Sequence, residues 1–160
     1  MKFRIGFGYD VHRFAAGRKM MLGGIEIPYS RGLDGLSDAD ALLHAICDSL
    51  LGAAGLRDIG YYFSDKYPKF KNIDSRILLK ETYQLVHEKG FILGNLDCTV
   101  VAEEPLINPY IDAMKREIAA ALDTEENNIG IKATTNEKLG SIGAGEGLAA
   151  YAVALIFSVS

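Results

Sequence analysis

Cysteine is almost absent from this chain of 160 residues: Cys47 and Cys98 are its only two, far apart and without CxxC spacing. That excludes a disulfide framework and a thiolate zinc site, and both read as buried thiols. Long apolar runs are absent as well. No stretch approaches the roughly 20 residues of a membrane span. The basic start Met1-Lys2-Phe3-Arg4 is not followed by the uninterrupted apolar core of a signal peptide. A cytoplasmic location is therefore expected, with no membrane partner. Positive charge is in short supply, 17 Lys and Arg against 21 Asp and Glu, giving a net charge of −4. Such a field does not attract nucleic acid and weakly repels a polyphosphate, so an anionic substrate needs local cations to hold it. Two catalytic signatures are also missing. Gly140, Gly143, Gly145 and Gly147 lack the Gly-Lys-Ser/Thr ending of a P-loop and precede a strand. No Ser/His/Asp or Cys/His triad pattern is present either.

Histidine is scarce too, and its placement is informative. Of three histidines, His12 follows Asp10 by two residues at the end of the first apolar segment, and His44 lies in the helix-like run from Asp38 to Ala54. Residues two apart in a strand share a face, so the Asp10 carboxylate and the His12 imidazole can converge on one point. A histidine arriving from a helix completes an N/N/O set that suits Zn²⁺ and leaves a fourth tetrahedral position open for substrate or water. Asp-x-His pairs also arise often by chance. Asp40 and Asp48 lie one turn before and after His44, and either could orient its imidazole or belong to a solvated charged stripe. His87, near a helix C-terminus, reads as structural.

With 49% hydrophobic and 24% charged residues and no shift in composition, residues 1–160 are expected to form one domain with a real core. Phe3 to Val11 reads as a strand, and Lys19 to Pro28 as a hairpin turning at Gly23-Gly24. Gly32 to Gly35 reads as a loop. Ser37 or Asp38 is expected to cap a helix with apolar residues at Ala41, Leu42, Ala45, Ile46, Leu50 and Leu51. Arg57 to Asn72 has no sustained periodicity and reads as a long surface loop, of the kind that is usually functional or disordered. Asp74 caps a helix to Lys89 that Gly90 ends, and Phe91 to Ala102 returns as a strand. Asn108-Pro109 opens a third helix to about Leu122, and Ile129 to Thr134 and Leu148 to Val159 are the last strands. The pattern predicts an α+β fold: a two-layer, ferredoxin-like sandwich in which a mixed four-stranded sheet plus a hairpin carries helices on one face.

A second chemical cluster, Lys132-Ala133-Thr134-Thr135-Asn136-Glu137-Lys138-Leu139-Gly140, follows a strand. Its hydroxyls, cations and carboxylate could hold phosphates and a divalent ion, although Thr/Asn/Lys turns are common without either.

Taken together, these segments resemble the 2-C-methyl-D-erythritol 2,4-cyclodiphosphate synthase family. The resemblance is carried by Arg4-Ile5-Gly6-Phe7-Gly8-Tyr9-Asp10-Val11-His12, Leu22-Gly23-Gly24-Ile25-Glu26-Ile27-Pro28-Tyr29 and Ser37-Asp38-Ala39-Asp40 with His44-Ala45. It continues through Leu51 to Ala54, Asp58-Ile59-Gly60, Phe70-Lys71, Asp74-Ser75-Arg76, Lys132 to Thr135 and Glu137 to Gly140.

The resemblance implies a homotrimer with active sites between subunits, in which Asp10, His12 and His44 hold Zn²⁺ and Glu137 holds a second ion, Mg²⁺ or Mn²⁺, bridging a diphosphate. It implies a small-molecule substrate, the 2-phosphate of 4-diphosphocytidyl-2-C-methyl-D-erythritol, closed to a cyclic diphosphate with release of CMP. Catalytic roles then fall to Asp10, His12, His44, Thr135 and Glu137. Substrate contacts fall to Ser37, Asp58, Gly60, Phe63, Asp65, Lys132, Ala133, Thr134 and Thr135. The loop carrying Ala102, Pro105, Leu106 and Ile107 corresponds to the family's cytosine pocket. Leu36 stands where the family usually has histidine, Ala144 where arginine is usual and Leu106 where lysine is frequent. Other zinc-dependent phosphohydrolase chemistry, or a non-catalytic trimeric nucleotide-binding module, are the alternatives; the intact ligand set speaks against the latter.

Overall fold

A computed structural model describes residues 2–159. The strands are β1 (Phe3–Ala15), β2 (Met20–Leu22), β3 (Ile25–Ile27), β4 (Gly32–Leu33), β5 (Phe91–Val101), β6 (Ile129–Thr134) and β7 (Gly147–Ser158). The helices are α1 (Ala41–Ala53), α2 (Ile59–Tyr62), α3 (Ser75–Glu88), α4 (Ile111–Ala121) and α5 (Gly140–Gly143). A mixed sheet runs in the order β4-β1-β7-β5-β6, with β5 and β6 parallel and the other neighbours antiparallel, and β2-β3 form a separate hairpin.

The sheet thus has five strands rather than the expected four. β1 runs on past Val11, and Phe14 and Ala15 pair with Leu33 and Gly32, in a segment whose glycine suggested a loop. Gly32 marks a close backbone approach there: a Cβ would stand 2.3 Å from the Lys19 carbonyl oxygen.

Alternation along β1 sets the two layers. Phe3, Ile5, Phe7, Tyr9 and Val11 project from one face and are exposed, while Gly6, Gly8, Asp10, His12 and Phe14 face the helices. Gly6 and Gly8 let α1 rest on the strand: a Cβ would lie 2.0 Å from the Ser49 carbonyl oxygen at Gly6 and 1.9 Å from that of Ala45 at Gly8. The core lies beneath, with Leu42, Leu43, Ile46, Leu50, Leu79, Leu96 and Met114 fully buried.

α1 starts later than expected. Ala39 adopts a left-handed φ of 59°, which turns the chain away from a helix until Asp40 caps it. The Asp40 carboxylate accepts from Leu43 N–H (3.0 Å), Gly23 N–H (2.9 Å) and Gly24 N–H (2.7 Å), so one buried side chain caps α1 and pins the β2-β3 turn to it. The segment read as a loop, residues 57–72, contains α2 and a 3₁₀ turn at Pro68–Phe70. These elements of four and three residues are too short to leave a periodic trace in sequence. Asp74 accepts from Arg76 N–H (2.8 Å) to cap α3, and Gly90 ends it with a φ of +80°. Cys47 and Cys98 are buried thiols, both pushed up to about 12 by burial.

Candidate active site

Two strand positions and one helix position converge. His12 Nε2 lies 2.9 Å from Asp10 Oδ2, and His44 Nδ1 lies 3.0 Å from the same oxygen and 3.3 Å from His12 Nε2. Among the described residues, these three side chains form the group that could hold a metal ion. The spacing fits one face of a tetrahedron, whose edge is about 3.3 Å for metal–ligand bonds of about 2.0–2.1 Å. The side chains are 14–26% exposed, so the group is neither sealed nor solvated.

Protonation reinforces that fit. His12 Nδ1 is 2.6 Å from the Asp34 carbonyl oxygen, which can only accept, so the ring proton sits on Nδ1 and the Nε2 lone pair faces the centre. Burial alone would lift the Asp10 carboxyl; the hydrogen bonds and charges of His12 and His44 outweigh it and bring it down to about 2. Burial would lower the His12 pKa, but the Asp10 hydrogen bond and charge, with help from the Asp34 carbonyl and Asp40, raise it. An acceptor-rich point that draws protons in this way is a point that draws a cation.

His44 is not oriented by Asp40 or Asp48. Asp40 is consumed by the three backbone N–H groups above, and Asp48 accepts from Ile59 N–H (2.8 Å), which anchors α2 to α1. The outward nitrogen of His44, Nε2, instead lies 3.0 Å from Ser75 Oγ and 3.2 Å from Ser37 Oγ. Ser75 stands in the sequence directly after the acidic cap of α3, and only folding brings that helix start against α1.

Beside the centre opens a cavity of about 140 Å³ lined by His12, Ser37, His44, Gly60, Phe63 and Asp65 together with apolar side chains, Leu36 among them. The loop reading of residues 57–72 and the Asp10-x-His12 reading therefore meet at one cleft. Asp58 stands exposed at the N-terminal end of α2 beside it.

The remaining expected residues cluster elsewhere. Val100 and Val101 of β5 pair with Ala133 and Thr134 of β6, and Ala102 N–H donates to the Thr134 carbonyl (3.0 Å). The loop with Ala102, Pro105, Leu106 and Ile107 thereby lies against the turn carrying Thr135 and Glu137. Glu103 joins them, accepting from Asn136 N–H (3.0 Å) and Lys138 N–H (3.1 Å). Glu137 and Lys138 there take left-handed φ values of 50° and 59°. Thr134, Thr135 and Glu137 are exposed, Leu106 is exposed and Ile107 is buried. Lys132 is ion-paired with Asp97. None of these residues lines the His12–His44 cavity. Strand order explains why: β1 and β6 are three strands apart, roughly 14 Å at about 4.8 Å per strand. One chain thus carries two separate clusters.

The chain is 56% identical over 156 residues to the 2-C-methyl-D-erythritol 2,4-cyclodiphosphate synthase of Parabacteroides distasonis, covering 98% of this chain and 97% of that one. Among solved structures it is similar to the IspF protein of Plasmodium falciparum in complex with CDP, with a TM-score of 0.87 and 34% identity over 99% of this chain and 97% of that one. It is also similar to the bifunctional IspDF of Campylobacter jejuni, with a TM-score of 0.94 and 43% identity, covering 98% of this chain and 43% of that longer one. Residues 3–157 match the model of the YgbB family. With sequence, fold and site converging, the chain belongs to the YgbB family, and it is an enzyme of the cyclodiphosphate synthase group that its sequence resembles.

Proposed function

We propose that residues 1–160 form one cyclodiphosphate synthase domain that closes 4-diphosphocytidyl-2-C-methyl-D-erythritol 2-phosphate to the 2,4-cyclodiphosphate. An oxygen of the 2-phosphate attacks the β-phosphorus, a new P–O–P bridge forms, the bond from that phosphorus to the cytidylyl oxygen breaks, and CMP leaves. The 2-phosphate is already an anionic nucleophile, which fits a site with no general base. The observation that carries this reading is the Asp10–His12–His44 face beside a cavity containing Ser37.

On this reading Asp10, His12 and His44 hold Zn²⁺, and Glu137 holds Mg²⁺ or Mn²⁺ at the diphosphate. Bound there, the two ions supply Lewis-acid polarisation of the attacked phosphoryl group and neutralise the charge that the chain's own net −4 cannot. Ser37, Thr134 and Thr135 hold phosphate oxygens, Asp58 and Gly60 hold the ribose, and Phe63, Asp65, Lys132 and Ala133 complete the substrate contacts. The loop of Ala102, Pro105, Leu106 and Ile107 takes the cytosine. Folding the substrate so that its 2-phosphate lies in line with the β-phosphorus makes the attack intramolecular, worth up to roughly 7–11 kcal/mol.

The separation of the two clusters also fits the homotrimer that the family resemblance implies, in which the Thr135–Glu137 turn of one subunit completes the His12–His44 cleft of the next. Supporting this, Phe3, Ile5, Phe7, Tyr9 and Val11, with Tyr151 and Val153 beside them on β7, leave an apolar sheet face exposed. Among the described residues no helix is long and apolar enough to cross a membrane, in keeping with a cytoplasmic small-molecule enzyme.

Phosphorus NMR of the full chain with the substrate, Zn²⁺ and Mg²⁺ tests the reaction. CMP and a cyclic diphosphate are expected; free phosphate or linear products refute it. Light scattering of the same protein is expected to give three times the 17.4 kDa chain mass. A monomer with full activity refutes the shared site.

A further inference from the structure

We infer that Ser75 and Asp38 form a relay that fixes the tautomer of His44 and strengthens its Nδ1 as a metal ligand; the inference rests on the proposed reading of Asp10, His12 and His44 as ligands. His44 presents Nδ1 to Asp10 at 3.0 Å and Nε2 to Ser75 Oγ at 3.0 Å. The Ser75 hydroxyl has one proton, and its oxygen makes a short hydrogen bond with Asp38 Oδ1, a carboxylate that can only accept. That proton is therefore committed to Asp38. What Ser75 turns toward His44 is a lone pair, so the ring proton belongs on Nε2, and the Nδ1 lone pair points at the centre.

The relay is held rigidly. Ser75 is fully buried, so water cannot replace it. Its own N–H donates to Asp38 Oδ2 (3.0 Å), Asp38 N–H donates to the Ile73 carbonyl (3.1 Å), and Asp40 N–H donates to Asp38 Oδ1 (3.2 Å). The start of α3 and the approach to α1 thus lock together around His44.

Ser37 Oγ, at 3.2 Å from Nε2, is a weaker second acceptor. It already accepts Ala39 N–H (3.1 Å), and no carboxylate stands behind it. The two histidines are held differently as a result. His12 is fixed by the neutral Asp34 carbonyl, whereas His44 is backed through Ser75 by an anion, which raises ligand basicity. Ser75 and Asp38 are positioning residues: neither faces the metal centre.

Zinc affinity by chelator competition, alongside thermal melting in EDTA, tests this in the full chain. Ser75→Ala is expected to weaken zinc binding by about 10–100-fold while the metal-free melting point holds, and Asp38→Asn to weaken it too, because the amide's one oxygen can accept from only one of the donors that the Asp38 oxygens now serve, the Ser75 N–H or the Ser75 hydroxyl. Ser75→Ala binding zinc as tightly as the parent overturns the relay and leaves the ligand reading standing. A parent protein that binds no zinc overturns both. Should Ser75→Ala fail to fold, nitrogen NMR of the zinc-loaded parent decides: a His44 Nε2–H protected from water exchange supports the relay, and one in fast exchange overturns it.

Discussion

Replacing Gly8 by alanine tests whether the closeness of α1 to β1 builds the centre. The added Cβ would stand 1.9 Å from the Ala45 carbonyl oxygen and 2.8 Å from both the Ala45 carbonyl carbon and the Ser49 nitrogen. All three are backbone atoms, so no side chain can swing aside. Reaching even a tight contact of 3.0 Å requires α1 to retreat by about 1 Å, and His44 moves with its neighbour Ala45. The separation of His44 Nδ1 from Asp10 Oδ2, now 3.0 Å, then opens to roughly 4 Å, whereas metal sites tolerate about 0.2 Å in each bond. Overpacking of this kind costs typically about 1–3 kcal/mol. Against a usual domain stability of about 5–15 kcal/mol, the variant stays folded with its melting point lowered by several degrees. Gly8→Ala should therefore give a cooperative melt, with zinc content by elemental analysis and CMP release both near zero. A folded Gly8→Ala protein with stoichiometric zinc and parental turnover would refute the reasoning, since the helix would then have another way to reach the strand.

Asp10→Asn and His44→Ala should each cut kcat by on the order of 10³, the worth of several kcal/mol of charge stabilisation, while the melting point falls little; melting that collapses in step with activity would make the centre structural. Zinc affinity should fall with pH: the His12 pKa is raised above 6.5, so its proton begins to compete above that value, and the loss approaches tenfold per pH unit per proton displaced. Chelator competition from pH 8 to 5.5 checks this, and a flat profile contradicts it. Leu36, 40% exposed on the cavity wall beside Ser37, offers no polar group to a phosphate, so Leu36→His should raise kcat/KM by about tenfold through one charge-assisted hydrogen bond of roughly 1.5 kcal/mol; unchanged or lower kcat/KM shows that phosphate placement does not use this position.

Strand parity made Asp10 and His12 legible from sequence because it is a local property: residues two apart share a face wherever the strand lies. The approach of His44 needed only one further inference, that a helix following the strand packs against it. The outer partners of the site were not legible for a corresponding reason. Helical spacing offered Asp40 and Asp48 to His44, but one turn along a helix fixes only which side a residue faces, not what else competes for it. Backbone N–H groups from the β2-β3 turn and from α2 claimed both carboxylates. The groups that reach His44 Nε2 lie 7 and 31 residues away, at a turn and at the start of another helix.

The same distinction separates the two clusters. The residues of Lys132 to Gly140 offered hydroxyls, cations and a carboxylate that could hold phosphates, a pattern common to many turns, but where the cluster sits relative to His12 depends on strand order, which places β7 and β5 between β1 and β6. β1 and β6 stand roughly 14 Å apart across the sheet, and none of Thr134, Thr135 and Glu137 lines the cavity beside His44. If the two clusters meet across a subunit interface, as proposed, each active site draws one cluster from each of two copies. Mixing Asp10→Asn chains with Glu137→Gln chains should then restore activity in mixed oligomers, because some interfaces pair an intact metal face with an intact Glu137. Two inactive variants that stay inactive when coassembled would refute the shared site.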